Sequence, residues 1–210
     1  MQVQQAYNQW AAQYDTNENK TRDLEGIALR TLLDPIPFTN CLEIGCGTGK
    51  NSQWLVQKAE QLTSVDFSEE MLAKARKKLA SDNVAFVQAD IKQTWTFAKG
   101  LYDLVCFSLV LEHIEDLGPI FREAARVLLP GGWVYVGELH PFKQYQGTRA
   151  RFDTPGGLQV VECYNHHVSE FVQAARKAGL LLADLNEYFD DPGSTGMPRI
   201  LTLLFKKKDV

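Results

Sequence analysis

Leu42-Glu43-Ile44-Gly45-Cys46-Gly47-Thr48-Gly49 joins a short apolar run to a more polar, helix-prone one. Cys41 to Ile44 reads as a buried strand, and the residues from the glycines to about Lys58 read as a turn entering a helix. Glycines at such a junction let the backbone turn tightly and approach a ligand, while the helix start presents unpaired N–H groups. In an open parallel sheet the junction lies at the carboxyl edge, where strand order reverses and ligands bind. Asp66 follows Gly47 by 19 positions, at the end of the next strand, Leu62 to Val65. A carboxylate there suits a ribose with free hydroxyls. The dinucleotide pattern G-x-G-x-x-G needs its third glycine at position 50, which is Lys50 here, and the turn reads G-x-G-x-G instead. Two cofactor classes could use such a turn, and the rest of the chain has to separate them.

Outward from this unit, short apolar or β-branched runs alternate with helical patterns, the signature of a parallel sheet covered by helices. Val84 to Val87, Tyr102 to Ser108, Trp133 to Val136, Leu180 to Glu187 and Ile200 to Phe205 supply further strands, seven in all. Ser68 is placed to cap a helix whose first turn holds Glu69 and Glu70, and Leu117 to Leu128 reads as a helix stopped by Pro130-Gly131-Gly132. Upstream, Tyr7, Trp10, Ala11 and Tyr14 share one face of a helix over 6–14, and a second helix runs from Thr21, as N-cap, to Leu33. Residues 141–167 break the rhythm and read either as a functional cover or as an extra surface hairpin.

The 210 residues suit one domain, and 45% hydrophobic with 23% charged residues argues against disorder. Twenty-two Lys+Arg against 26 Asp+Glu gives a charge of −4, which offers no global field for nucleic acid or an anionic membrane. Cys41, Cys46, Cys106 and Cys163 form no C-x-x-C pair, so no metal site and no disulfide framework is expected. Met1 to Gln5 has no basic lead into an apolar stretch, and no apolar run reaches about 18 residues. These features predict a cytoplasmic protein, a monomer or homodimer, with no membrane partner.

Three motifs, Leu42 to Gly49, Val65-Asp66-Phe67-Ser68 through Met71-Leu72, and Gln88-Ala89-Asp90, resemble the cofactor motifs of class I S-adenosylmethionine-dependent methyltransferases. Tyr102-Asp103-Leu104-Val105 with Glu112-His113-Ile114, and Val127 to Gly132, are similar to that family's fourth- and fifth-strand signatures. The likeness is close over 38–139 and looser beyond, and its subgroup resembles the small-molecule enzymes of the ubiquinone, menaquinone and biotin pathways. It implies an α/β, Rossmann-like sheet of seven mostly parallel strands with helices on both faces and the last strand antiparallel. A single domain would divide into an N-terminal helical cover (1–37), a cofactor core (38–140), an inserted substrate cover (141–167) and a C-terminal helix with two strands (168–210).

The resemblance also assigns roles toward S-adenosyl-L-methionine. Gly45, Gly47 and Gly49 would run beneath its methionine part, and Glu43 would order the turn or meet the ammonium group. Asp66 would accept from the ribose hydroxyls, with Phe67 and Met71 flanking the adenine. Asp90 would accept from the adenine amino group, beside Ala89 and Ile91. Ser108 and Leu109 would line the sulfonium, and Tyr14 would close over the carboxylate. The plainer readings are a sharp turn for the glycines, caps for Asp66 and Asp90, and packing for Phe67, Met71 and Tyr14.

Methyl transfer needs alignment and dryness more than a base, because the donor is already activated. Where the acceptor must lose a proton, His113 and His140, each just past a strand end at the carboxyl edge, are the candidates. His166 and His167 precede a helix opened by Ser169, near the expected cover. Ser108-Leu109-Val110-Leu111 stands where DNA amino-methylating relatives carry Asn/Asp-Pro-Pro-aromatic, and Tyr7, Trp10, Tyr145, Phe152 and Tyr164 suggest a mostly apolar pocket. A small-molecule acceptor is therefore expected. A protein or RNA acceptor, a cofactor-binding regulator without turnover, and a nicotinamide-dependent oxidoreductase are the alternatives.

Overall fold

Strands that are apolar on both faces need helices on both sides, and the chain supplies them in alternation. The structure is a computed structural model that describes residues 2–154, 156–191, 193 and 196–209. Met1, where the N-terminal reading begins, and Pro155, inside the expected insertion, lie outside the described residues, as do Pro192, Ser194, Thr195 and Val210. Helices α1 (Val3–Trp10) and α2 (Lys20–Leu33) come first. Then β1 (Asn40–Ile44), α3 (Ser52–Lys58), β2 (Gln61–Asp66), α4 (Glu69–Lys78) and β3 (Val84–Gln88) alternate. β4 (Tyr102–Ser108) passes through a 3-10 turn at Leu111–His113 to α5 (Leu117–Val127) and β5 (Leu128–Leu139). α6 (Pro141–Tyr145), β6 (Arg151–Thr154) and β7 (Gly157–Val160) precede α7 (Val168–Lys177), β8 (Leu180–Tyr188) and β9 (Ile200–Lys207).

The main sheet has seven strands in the order β3-β2-β1-β4-β5-β9-β8. β1 to β5 pair in parallel, and the last strand, β9, runs antiparallel to both β5 and β8. Strand order therefore reverses between β1 and β4, and a ligand site is expected outside their carboxyl ends. Alternation along β4 builds a core on each face. Val105 and Phe107 join Leu42, Ile44, Val136 and Phe121 on one side, while Leu104 and Cys106 join Leu29, Leu33, Leu55 and Tyr135 on the other. A third cluster ties α1 to α4 and the small hairpin through Ala6, Trp10, Met71 and Phe152. Among the described residues no helix is long and apolar enough to cross a membrane.

Local chemistry explains where the expected boundaries move. The first helix starts at Val3 and ends at Trp10, so Tyr14 lies in the turns that follow it. Asn19, not Thr21, caps α2, its side chain accepting from the Arg22 amide at 3.0 Å. Ser68 caps α4 as expected, accepting from the Met71 amide at 3.2 Å. α7 opens after His167 rather than at Ser169, with the Glu170 carboxylate accepting from the His167 amide at 3.0 Å. Pro130-Gly131-Gly132 does not separate α5 from a later strand. β5 begins at Leu128, and the proline, which has no N–H for the ladder, sits in a bulge where Tyr102 pairs with Leu128 but Leu104 pairs with Trp133. Residues 141–167 hold α6 and a separate two-stranded hairpin, with Phe152 stacked on Trp10 at 5.1 Å between ring centroids.

Gly137 marks a close approach between the sheet and α2. A Cβ there would overlap the Tyr135 hydroxyl and come within 2.6 Å of Glu25 Oε1, and the Tyr135 hydroxyl itself donates to that oxygen at 3.1 Å. Both partners are buried, so neither can swing away. Gly137→Ala should cost about 1–3 kcal/mol of stability, the usual price of overpacking, read as a lower urea midpoint. An unchanged midpoint would contradict the close approach.

Candidate active site

The carboxyl ends of β1, β2, β3 and β4 enclose a cavity walled by Gly45, Gly47, Asp66, Phe67, Ala89, Asp90, Ile91, Ser108 and Leu109. Tyr14 and His113 reach it from the helical segments. Gly45 has φ +74°, and its amide and that of Cys46 donate to the Val65 carbonyl at 2.8 and 3.0 Å. A Cβ on Gly45 would lie 2.8 Å from Val110 Cβ, so backbone and neighbour together demand glycine. The Asp66 carboxylate accepts from the Gly47 amide and the Ser68 amide, both at 2.8 Å. Burial raises its pKa against the pull of these N–H groups. Asp90 accepts from the Lys92 amide at 3.0 Å, which fixes the turn beyond β3.

Four residues expected at the site do not line the cavity. Glu43 lies under the turn, where its carboxylate accepts from Ser64 Oγ at 2.7 Å and from Ser52 Oγ, bracing β1 against β2 and α3. Burial pushes its pKa up to about 7. Gly49, at φ +80°, lies against α4, where a Cβ on it would come within 3.1 Å of Ala75 Cβ. Met71 is fully buried in the cluster around Trp10. His140 is 1% exposed and caps α6, its Nδ1 accepting from the Phe142 amide at 3.1 Å and its Nε2 meeting Glu187 at 2.9 Å. Tyr14 does line the cavity, with the Arg22 guanidinium 4.5 Å from its ring centre, and burial pushes its hydroxyl up to about 12.

Past β4 the backbone is strained. Leu109 has φ +53°, the one positive value outside glycine among the described residues. Its amide donates to the Gly137 carbonyl at 2.8 Å, and the next two amides, Val110 and Leu111, donate to Glu138 Oε1 at 2.9 and 2.8 Å. Such strain persists only where neighbours over-determine it, and here the Glu138 carboxylate does so. Burial, with the nearby Glu112, pushes Glu138 up to about 8. Sequence reading missed this residue, although an acid inside the apolar run Val134 to Leu139 was a visible signal.

His113 sits at the cavity wall between two partners. Its Nδ1 meets the Glu162 carbonyl at 2.7 Å, which requires a proton there, so its Nε2 accepts from the Tyr7 hydroxyl at 2.8 Å. Glu112, His113 and Cys163 bring ligand atoms within 4.8 Å of one another. They suit a metal poorly, because both ring nitrogens are engaged and burial pushes the Cys163 thiol up to about 12.

Residues 42–136 match the family model of a methyltransferase domain. Over those residues the chain carries a methyltransferase domain. It is 27% identical to an uncharacterised methyltransferase of Emericella nidulans over 87% of this chain and 77% of that one. It is 32% identical to a ubiquinone biosynthesis O-methyltransferase of Hydrogenovibrio crunogenus, over 68% of this chain and 62% of the relative's length. Among solved structures, the N-methyltransferase NodS of Bradyrhizobium japonicum superposes with a TM-score of 0.74 at 19% identity, covering 99% of both chains. The walls of the cavity fit S-adenosylmethionine: a carboxylate and a glycine turn without room for a Cβ stand beside the apolar wall of Phe67, Ala89 and Ile91.

The buried acids make the protein sensitive to pH. Glu43 and Glu138 hold their protons to about 7 and 8, whereas the unfolded chain releases them near 4.5. Between those values the folded state binds more protons, so stability falls as pH rises through that window. Glu138→Gln keeps an oxygen for the Val110 and Leu111 amides and removes the titration. Its melting temperature should decline less than the wild type's between pH 5 and 9, and parallel slopes would refute the assignment.

Proposed function

We propose that the chain uses S-adenosylmethionine to methylate a small-molecule acceptor at the carboxyl edge of β1 and β4. The observation that carries this reading is that the Asp66 carboxylate, the Gly45–Gly47 turn and the Tyr7–His113 pair all border one cavity. The cofactor, when bound, supplies a methyl group already activated on a sulfonium. Asp66 holds the ribose end, Phe67, Ala89, Asp90 and Ile91 hold the adenine end, and Ser108 with the strained Leu109 backs the reacting end.

Tyr7 and His113 provide the path for a proton where the acceptor has to lose one. The acceptor O–H donates to Tyr7 Oη, the Tyr7 proton passes to His113 Nε2, and His113 keeps its Nδ1 proton on the Glu162 carbonyl. Glu112, with Oε1 3.8 Å from Nε2, stabilises the resulting imidazolium. Burial and neighbouring acids hold the Tyr7 phenol well above its usual range, so it relays a proton rather than standing ionised. α1, the first-helix cover, and the insertion over 141–167 keep water from the site in this reading.

Calorimetric titration with S-adenosylmethionine, S-adenosylhomocysteine and NADH tests the cofactor. The first two should bind and NADH should not; no binding of either sulfur nucleoside would overturn the reading. Asp66→Ala should weaken S-adenosylhomocysteine binding by about 1–3 kcal/mol through lost charge-assisted hydrogen bonds. Tyr7→Phe should slow single-turnover transfer to an oxygen acceptor by about 100-fold, with S-adenosylhomocysteine affinity nearly unchanged. Full activity in that variant would remove the relay.

A further inference from the structure

Beside the cofactor cavity, and sharing Tyr7, Tyr14 and Leu109 with it, lies a second cavity of about 340 Å³. Its wall carries Lys20, Arg22, Arg149, Arg151 and Arg199 against two carboxyl side chains, Glu18 and Glu112. Arg199 is ion-paired with Asp190, and Arg22 donates to the Tyr14 and Asn17 carbonyls. Lys20, Arg149 and Arg151 have no carboxylate within ion-pair distance among the described residues. Of the two acids, Glu112 is buried, which raises its carboxyl pKa. Trp10, in the same wall and 6% exposed, has an indole N–H with no acceptor among the described residues. The cavity wall thus carries more cations than carboxylates.

The backbone that carries Arg149 and Arg151 is anchored to the fold. Arg149 and Arg151 flank Ala150, whose carbonyl accepts from the Val161 amide at 2.9 Å. Ala150 and Phe152 pack into the cluster around Trp10, with the Phe152 and Trp10 rings 12° from parallel. Arg149, just before β6, and Arg151, its first residue, are both exposed and both line the cavity beside Trp10.

We infer that this second cavity is the acceptor site and that it selects a small molecule bearing a carboxylate or a phosphate. The inference rests on the methyltransferase reading above and adds the substrate class. Arg149 and Arg151 grip the oxyanion with their planar forks, as guanidinium groups do. The acceptor's apolar body lies on Trp10 and Tyr7, and its nucleophile reaches the shared border at Tyr7 and Leu109.

Phenyl phosphate, benzoate and the neutral benzamide, titrated by calorimetry into the full chain loaded with S-adenosylhomocysteine, test this. At least one anion should bind about tenfold tighter than benzamide, and Arg149→Gln with Arg151→Gln should remove that preference. Preference between the two anions identifies the oxyanion. The double variant should still bind S-adenosylhomocysteine as the wild type does, since neither arginine lines the cofactor cavity. Neither anion binding tighter than benzamide, no binding of either anion, or undiminished anion affinity in the double variant would each overturn the inference. Anion binding without any S-adenosylhomocysteine binding would instead overturn the cofactor reading.

Discussion

Parallel strands end together at one edge, and the amides and carbonyls just past that edge must find partners once the ladder stops. The site follows from how this chain meets the demand. The Val65 carbonyl takes the Gly45 and Cys46 amides, and the Gly137 carbonyl takes the Leu109 amide. Two side chains do the rest: Asp66 accepts from Gly47 and Ser68, and Glu138 accepts from Val110 and Leu111. Each carboxylate fixes the loop that leaves one strand by reaching from the end of another. The glycine turn and the strained Leu109 are thereby set facing each other across the point where strand order reverses.

Satisfying the edge with acids concentrates them. Glu25, Glu43, Asp66, Glu112 and Glu138 all have raised pKa values with burial as the largest cause, and several raise one another. A cation entering beside such a group favours its ionised form and is attracted by it in return, by linkage. A donor carrying a sulfonium and an ammonium group therefore suits this edge electrostatically, whereas a dinucleotide pyrophosphate would meet like charge. The glycine spacing pointed the same way, because Lys50 occupies the position where the dinucleotide pattern needs glycine.

The parts legible in the sequence are those written in local pattern. Strand and helix alternation yielded the seven-stranded sheet, and the glycine turn with Asp66 falls at the edge that borders the cavity. Expectations that depended on which way a side chain points were harder to read. Met71 stands three residues past Ser68 on α4, and only the packing of α1 and Phe152 around it shows that it belongs to the core. His140 sits just past β5, yet the short α6 and Glu187 of β8 claim both ring nitrogens. Glu43 carries the family pattern, but strand alternation turns it beneath the sheet toward Ser52 and Ser64. The Tyr7–His113 bond joins residues 106 positions apart, a distance no local pattern spans.

The two cavities differ in sign across a shared border. Acids lie behind the cofactor cavity, and cations line its neighbour, with Tyr7 and Leu109 common to both. In the proposed reading a proton leaving the acceptor travels from Tyr7 to His113, whose Nε2 lies 3.8 Å from Glu112 Oε1. Glu112 and His113 belong to the turn whose first amides Glu138 holds, so the carboxylate that shapes the cavity wall also positions the Tyr7–His113 pair.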